Sequence, residues 1–140
     1  YQEISNKEFN INLKNYKNPI KTHKSIEIIY GLRNFIGNAN KFSKKKIEIF
    51  LSSNNKTTNI IIRDDGSGFP KDLIDKHRLG EPYIRTVNQE NISKYGLGLG
   101  TFIGKTLLEK NFAFINFKNS QETGGAEVLI KWENNDLKKI

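Results

Sequence analysis

The segment Ile60-Ile61-Ile62-Arg63-Asp64-Asp65-Gly66-Ser67-Gly68-Phe69-Pro70 runs from three consecutive isoleucines into an acidic loop with two glycines spaced two apart. The isoleucine run has the density of a buried strand, and Asp64 stands where that strand ends. Gly66 and Gly68 let the backbone turn sharply and approach a flat ligand with no Cβ in the way. A carboxylate at such a place can accept a hydrogen bond from an exocyclic amine. Against guanine it would face a carbonyl, leaving two acceptors unmatched, so the site would discriminate adenine from guanine. Calcium is the rival ligand for an acidic, glycine-bearing loop, but the Asp/Asn spacing and closing Glu of an EF-hand are missing. A plain Asp-Gly turn also fits, and this segment alone leaves both readings open.

The flanking sequence supplies the rest of a fold. Ile47, Ile49 and Leu51 alternate and, across the polar loop Ser52 to Lys56, pair with Ile60 to Ile62 as a hairpin. Before them, Ser25 can cap a helix expected over about 26–43, in which Leu32, Phe35, Ile36 and Ala39 recur at the spacing of one buried stripe. Phe9, Ile11 and Leu13 alternate as an earlier strand, closed by a turn at Asn18-Pro19. Downstream, periodicity fades over 71–95 apart from a helical hint at Leu73 and Ile74, and a segment that long with little regular structure is expected to be a mobile lid. Leu99, Phe102, Ile103 and Leu107 restore helical spacing up to about Lys110. Phe112 to Phe117 and Val128 to Trp132 then alternate as strands around Gly124-Gly125, and the tail from Asn134 is expected to fray. The order strand, helix, hairpin, lid, helix, hairpin fits the α+β class: a two-layer sandwich of a mixed, mostly antiparallel sheet with helices on one face. The expected organisation is an N-terminal strand and connector over 1–25, one domain over 26–133, and a C-terminal tail over 134–140.

Composition bounds the function. The 140 residues, 36% hydrophobic and 27% charged, suit one ordinary domain, and no apolar run is long enough to span a bilayer. With no Cys, these residues hold no disulfide frame, zinc cluster or thiol nucleophile. With no Met, even at position 1, the sequence is read as a fragment or processed product. The net charge of +8 makes a polyanion the plausible partner class. Lys residues are spread from end to end, however, and no aromatic-interleaved basic stripe is present, so nucleic acid is not the expected partner.

Two further segments carry chemistry. In Asn34-Phe35-Ile36-Gly37-Asn38-Ala39-Asn40-Lys41-Phe42, residues Asn34, Asn38 and Lys41 lie within about 60° of one another on a helix, roughly opposite the apolar stripe. A carboxamide oxygen is a hard, neutral ligand suited to magnesium, which takes few protein ligands beside substrate phosphates, and Asn38 is the candidate. A solvated polar face is the other reading. Gly96-Leu97-Gly98-Leu99-Gly100 opens the second helix, where free N–H groups and the positive dipole end suit phosphate. A Rossmann fingerprint fits poorly because the glycine spacing is wrong. Gly104-Lys105-Thr106 imitates the tail of a P-loop but has Leu99 where that motif needs glycine.

Taken in chain order, as an Asn-bearing helix, Asp-x-Gly-x-Gly after a strand, a lid, and then Gly-x-Gly-x-Gly before a helix, the segments describe an ATP site. From about Ile26 to Trp132 the sequence resembles the ATP-binding catalytic domain of sensor histidine kinases, within the gyrase, Hsp90, histidine kinase and MutL superfamily, with its Bergerat-type fold. More narrowly, Tyr30-Gly31-Leu32, Leu79-Gly80-Glu81-Pro82-Tyr83, Gly96 to Gly100, Phe102 to Glu109 and Gly124-Gly125-Ala126 resemble the RegB/PrrB group of redox-responding kinases. The resemblance implies that Asn38 holds magnesium, Lys41 contacts phosphate, Phe42 flanks the nucleotide, and Asp64 accepts from the adenine amine. It implies that Gly66 and Gly68 lie below the base and that Gly96, Leu97, Gly98, Leu99 and Gly100 embrace the phosphates. It further implies that Pro82-Tyr83 is the lid's aromatic element and Arg85 a lid cation for the γ-phosphate. Gly37 stands where the RegB-like pattern has Glu, and Thr101 where histidine kinases usually have Leu, which bears on fine positioning.

The ATPase members of that superfamily carry a Glu as general base four residues before the metal-binding Asn, and here that position is Asn34. An amide cannot accept the proton, so the resemblance implies slow hydrolysis and a γ-phosphoryl kept for an imidazole. His23 and His77 are the only histidines, and neither lies in a helical phosphoacceptor setting. The implied partners are a dimerisation and phosphoacceptor domain of the same protein, as a homodimer, and a response regulator. The implied location is the cytoplasmic side of an inner-membrane sensor. The alternatives are a degenerate nucleotide-sensing domain and a basic nucleic-acid module.

Overall fold

The computed structural model describes residues 5–14, 20–81 and 99–140. Strands β1 (Glu8–Lys14), β2 (Lys46–Ser53), β3 (Thr57–Asp64), β4 (Phe114–Asn119) and β5 (Ala126–Glu133) form one sheet in the order β1-β2-β3-β5-β4. Among the described residues only the β1–β2 pair is parallel. A parallel pair needs a crossover, and helix α1 (Ile26–Phe42) supplies it.

Strand alternation decides which side chains meet the helices. Ile62 pairs with Ile49 and Val128, and Ile60 with Ile130. Ile47, Ile62, Val128 and Ile130 share one core with Phe35 and Ala39 of α1 and Leu108 of helix α3 (Leu99–Lys110). Asp64 stands two residues beyond Ile62, so the same period carries its carboxylate to the helix side of the sheet. Arg63 points the other way. There it binds Glu127 at 2.7 Å and Glu122 at 2.9 Å, while Lys118 reaches Glu127 at 3.0 Å. Burial is the largest single influence on the Glu127 carboxyl and opposes its charge, yet the bonds from Arg63 and Lys118 outweigh it and hold its pKa below the ordinary value.

Both ends of α1 are secured. Ser25 accepts the Ile28 N–H at 3.3 Å as the N-cap. At the other end, the Lys7 ammonium donates to the carbonyls of Asn40 and Ser43, satisfying groups that a helix C-terminus leaves open. Helices α1 and α3 approach closely because two glycines face each other: an ideal Cβ on Gly31 would stand 2.6 Å from Leu108 Cγ, and one on Gly104 would stand 3.2 Å from Asn34 Cβ.

Two expectations need correction. The stretch 71–81 is not the open beginning of a lid: helix α2 (Lys71–Asp75) and a turn bury Leu73 and Leu79 against Phe69 and Phe117. The C-terminal residues do not fray at Asn134 but form helix α4 (Asn134–Leu137). The Asn134 carboxamide accepts from Thr58 Oγ1 at 2.8 Å and donates to the Asn54 carbonyl at 2.7 Å, and Leu137 enters the core. No helix among the described residues is long and apolar enough to cross a membrane.

Candidate functional site

A cleft of about 530 Å³, part of it open to solvent, lies between α1, the loop after β3 and the start of α3. Phe35, Ala39, Ile62, Phe117 and Val128 give it apolar walls, and Asn38, Asp64, Ser67 and Thr101 place polar groups among them. Phe117 packs edge-on against Phe35 and Phe69, with ring centroids 5.8 and 5.7 Å apart, which stiffens one side. An apolar cleft with a few fixed polar groups is the form of a small-molecule site.

Asp64 is held from behind. Its Oδ1 accepts the backbone N–H groups of Gly66 at 2.9 Å and Ala126 at 3.1 Å. Its own carbonyl accepts from Thr123 Oγ1 at 2.8 Å. Among the described residues no hydrogen bond falls on Oδ2, so that oxygen is left for a donor in the cleft. Burial, the largest influence, raises the pKa of this carboxyl above its ordinary value, and the two N–H bonds offset that only in part. Neighbouring Asp65 does a structural job: it accepts the N–H groups of Lys44 at 2.8 Å and Lys45 at 3.1 Å and ties down the loop after α1.

The glycines earn their places by close approach. A Cβ on Gly66 would lie 2.3 Å from the Phe42 carbonyl oxygen. Gly68 has φ +83°, and a Cβ there would lie 2.7 Å from Asn119 Oδ1. The Asn119 side chain accepts from the Phe69 N–H at 2.7 Å and donates to its carbonyl at 3.0 Å, pinning the loop to β4.

On the far side of the cleft the two carboxamides of α1 are both oriented. Asn34 donates its Nδ2 to the Tyr30 carbonyl at 2.8 Å, and Asn38 donates its Nδ2 to Thr101 Oγ1 at 3.2 Å. Both oxygens also lie near the start of α3: an ideal Cβ on Gly100 would stand 3.5 Å from Asn34 Oδ1 and 3.9 Å from Asn38 Oδ1. Two hard, neutral oxygens converging on one backbone position fit magnesium, an ion that brings phosphate and water as its other ligands. Among the described residues no group of three or more His, Cys, Asp or Glu could hold a metal.

Asn38, Phe42, Asp64 and Gly68 therefore line one cleft, with Gly66 and Gly100 beside it. The face of α1 that carries Asn34 and Asn38 meets α3, where a Cβ on Gly104 would stand 3.2 Å from Asn34 Cβ, so it is not the solvated polar face of the other reading. Lys41 is exposed at the rim, its ammonium 5.2 Å from the Phe42 ring centre. Leu99 is 65% exposed and does not line the cleft. Pro82, Tyr83, Arg85, Gly96, Leu97 and Gly98 lie outside the described residues, as does the rest of the expected lid beyond Glu81. The sequence reading left out Thr101 and Gly125 as site residues. Thr101 stood out only as a departure from a resemblance. Gly125, where a Cβ would lie 2.0 Å from the Asp64 carbonyl oxygen, reads in sequence as a turn and part of the family resemblance, and nothing local ties it to a neighbour 61 positions away.

A family model described as "Histidine kinase-, DNA gyrase B-, and HSP90-like ATPase" matches residues 23–135. Sensor histidine kinase RegB of Cereibacter sphaeroides is 38% identical over 101 residues, covering 69% of this chain and 21% of that protein. Histidine protein kinase SaeS of Staphylococcus aureus is 34% identical over 97 residues, covering 66% of this chain and 27% of that protein. The chain thus spans about a fifth to a quarter of the length of these relatives. Among solved structures, the mycobacterial sensor histidine kinase MprB superposes with a TM-score of 0.72 at 20% identity, over 94% of this chain and 85% of that one. The catalytic domain of histidine kinase ThkA gives 0.70 at 19% identity, over 92% and 81%.

Proposed function

We propose that this chain, which belongs to the histidine kinase-, DNA gyrase B- and HSP90-like ATPase family, is the ATP-binding kinase unit of a sensor histidine kinase. It takes ATP and passes the γ-phosphoryl to a histidine on a dimerisation domain outside these residues, from which a response regulator receives it. The observation that carries this reading is the Asp64 carboxylate, fixed through Oδ1 by Gly66 and Ala126 and with Oδ2 left for the cleft. Such an oxygen reads the amine edge of adenine and meets a mismatched carbonyl in guanine.

The chain's own residues divide the work. Phe42 closes the apolar slot around the base, and Asn38, with Asn34 beside it, turns an amide oxygen toward the phosphate side. Magnesium, when bound, would neutralise phosphate charge, and Lys41 at the rim would add to that. Neither amide takes a proton, so water in the cleft finds no base in Asn34 and hydrolysis is slow. His23 and His77 are both exposed and outside the cleft, which fits an acceptor imidazole supplied from elsewhere. Tyr83 and Arg85 belong to the lid in this reading. With no Cys in the chain, any redox response of a RegB-like kind would reside outside these residues. A cytoplasmic position under a membrane sensor follows from the same reading.

Two measurements test it. Titration with ATP, ADP and GTP, with and without magnesium, should show adenine selectivity and a gain on adding the ion. Incubation with γ-labelled ATP and a separately prepared histidine-bearing dimerisation domain should label that domain; label released only as free phosphate would contradict kinase function.

A further inference from the structure

We propose that a second cavity, between α2, α3 and β4, is a binding site for a free short-chain carboxylate. This goes beyond the nucleotide reading and does not rest on it. The cavity measures about 430 Å³, part of it open to solvent. Leu73, Leu79 and Ile115 give it apolar walls, while His77 and Lys105 bring nitrogen donors, with Asn116 of the edge strand β4 at its margin. Among the described residues Phe117 alone lines both this cavity and the cleft of Asp64, so the two are neighbours with one shared wall.

Both donors are placed by local backbone and neither is used up. The Lys105 stem lies across Gly80, which has φ +86° and where an ideal Cβ would stand 2.5 Å from Lys105 Cδ. Among the described residues the ammonium meets one carboxylate, Glu109 at 3.7 Å, beyond hydrogen-bond distance and with side chains 33% and 48% exposed. Such a pair is worth little, and an incoming carboxylate can compete for the ammonium. His77 closes α2: its N–H returns to the Ile74 carbonyl at 3.1 Å, and the Arg78 N–H to the Leu73 carbonyl at 2.9 Å. Glycine is the usual residue at that place in a helix C-terminus, and His77 takes the left-handed backbone at φ +52° with a side chain that glycine would not have to accommodate. Its imidazole makes no hydrogen bond or ion pair among the described residues, so the turn does not account for it. A carboxylate does. It would accept from Lys105 Nζ and from a ring N–H of His77, which either tautomer provides, while its hydrocarbon packs against Leu73, Leu79 and Ile115. Inorganic phosphate would match the donors but leave the apolar walls unused.

The test titrates butyrate, its neutral isostere butyramide and inorganic phosphate into the isotopically labelled chain and follows binding by nuclear magnetic resonance. Butyrate should saturate and give nuclear Overhauser contacts to the methyl groups of Leu79 and Ile115. Butyramide, lacking the charge, should bind about three- to tenfold more weakly, and phosphate more weakly than butyrate. Lys105→Met keeps the stem against Gly80 and removes the ammonium; His77→Gly removes the imidazole and suits the turn, so it should fold at least as well as the parent. Each should weaken butyrate by about three- to tenfold. No saturable binding of butyrate, contacts to Ile62 and Val128 in the Asp64 cleft instead, butyramide or phosphate binding as tightly as butyrate, or unchanged affinity in either variant would each overturn the proposal. The contacts to Leu79 and Ile115 are read in the parent chain, so they decide the location even if a variant fails to fold.

Discussion

Asp64 Oδ1 accepts the Ala126 N–H at 3.1 Å, joining the end of β3 to the beginning of β5 across 62 positions of sequence. The bond commits one carboxylate oxygen to the protein and so fixes the direction of the other. It also settles what an asparagine would do at this place. Its oxygen would stay on the Gly66 and Ala126 N–H groups, and its Nδ2 would point into the cleft. Asp64→Asn should therefore weaken ATP binding by about tenfold to a hundredfold, the value of a hydrogen bond to a charged group plus a donor facing a donor. The same change offers a donor to the guanine carbonyl, so the ATP-to-GTP preference should narrow further than the ATP loss alone requires. Competition titration with the two nucleotides reads both effects.

The same substitution should stabilise the free chain. Burial raises the Asp64 pKa above its ordinary value of 3.8. A group with a raised folded-state pKa contributes stability that is fully present below the unfolded value and is lost as pH rises through the folded one. At neutral pH the buried charge is therefore a net liability that Asn lacks. Thermal melts of Asp64→Asn and the parent, without nucleotide, should show the variant higher at pH 7 and the two converging as pH falls below 3.8. A parent more stable than the variant at neutral pH would mean that the N–H bonds outweigh burial.

Legibility in the sequence followed the range of the interaction. The face of Asp64 was readable, because Ile60, Ile62 and Asp64 fall on one side by simple alternation, and so was the Ser25 cap, which acts over three residues. The β1–β2 pairing was not, since alternation in Phe9, Ile11 and Leu13 marks a strand without naming its partner or direction. Helix α4 looked like a tail because its anchorage is one leucine and one carboxamide among charged residues. The union of Asn38 with Thr101 spans 63 positions, and nothing local to either residue announces it.

Gly125 and Gly124 should respond in opposite ways to the same methyl group. A Cβ on Gly125 would stand 2.0 Å from the Asp64 carbonyl oxygen, which Thr123 Oγ1 holds, and 2.6 Å from its Oδ1, which the Gly66 and Ala126 N–H groups hold. Gly125→Ala should therefore displace Asp64, cost about 2 to 4 kcal/mol of stability and abolish ATP binding. Gly124 has φ +74° with open space around it, so Gly124→Ala should cost only the left-handed backbone term of about 1 to 2 kcal/mol and leave affinity unchanged. Urea denaturation and ATP titration of the pair separate crowding from strain.

Glu127 gives a stability effect that binding should not feel. It pairs with Arg63 in register, on the sheet face away from the cleft, and its side chain is only 4% exposed between Arg63 and Lys118. Glu127→Gln removes the carboxylate that Arg63 and Lys118 share, leaving Arg63 only the exposed Glu122, and should destabilise by about 1.5 to 3 kcal/mol at pH 7, with ATP affinity retained. The pKa here is depressed, so the sign is the reverse of that at Asp64: the contribution is present above the ordinary value of 4.5 and is lost as pH falls through the folded-state value below it. The gap between parent and variant in urea midpoint should thus stay level from pH 7 down to about pH 5 and close only in more acid solution. A gap that instead closed between pH 7 and pH 6 would place the titrating group elsewhere, and an ATP affinity that fell in step with stability would show that the two faces of the sheet are coupled.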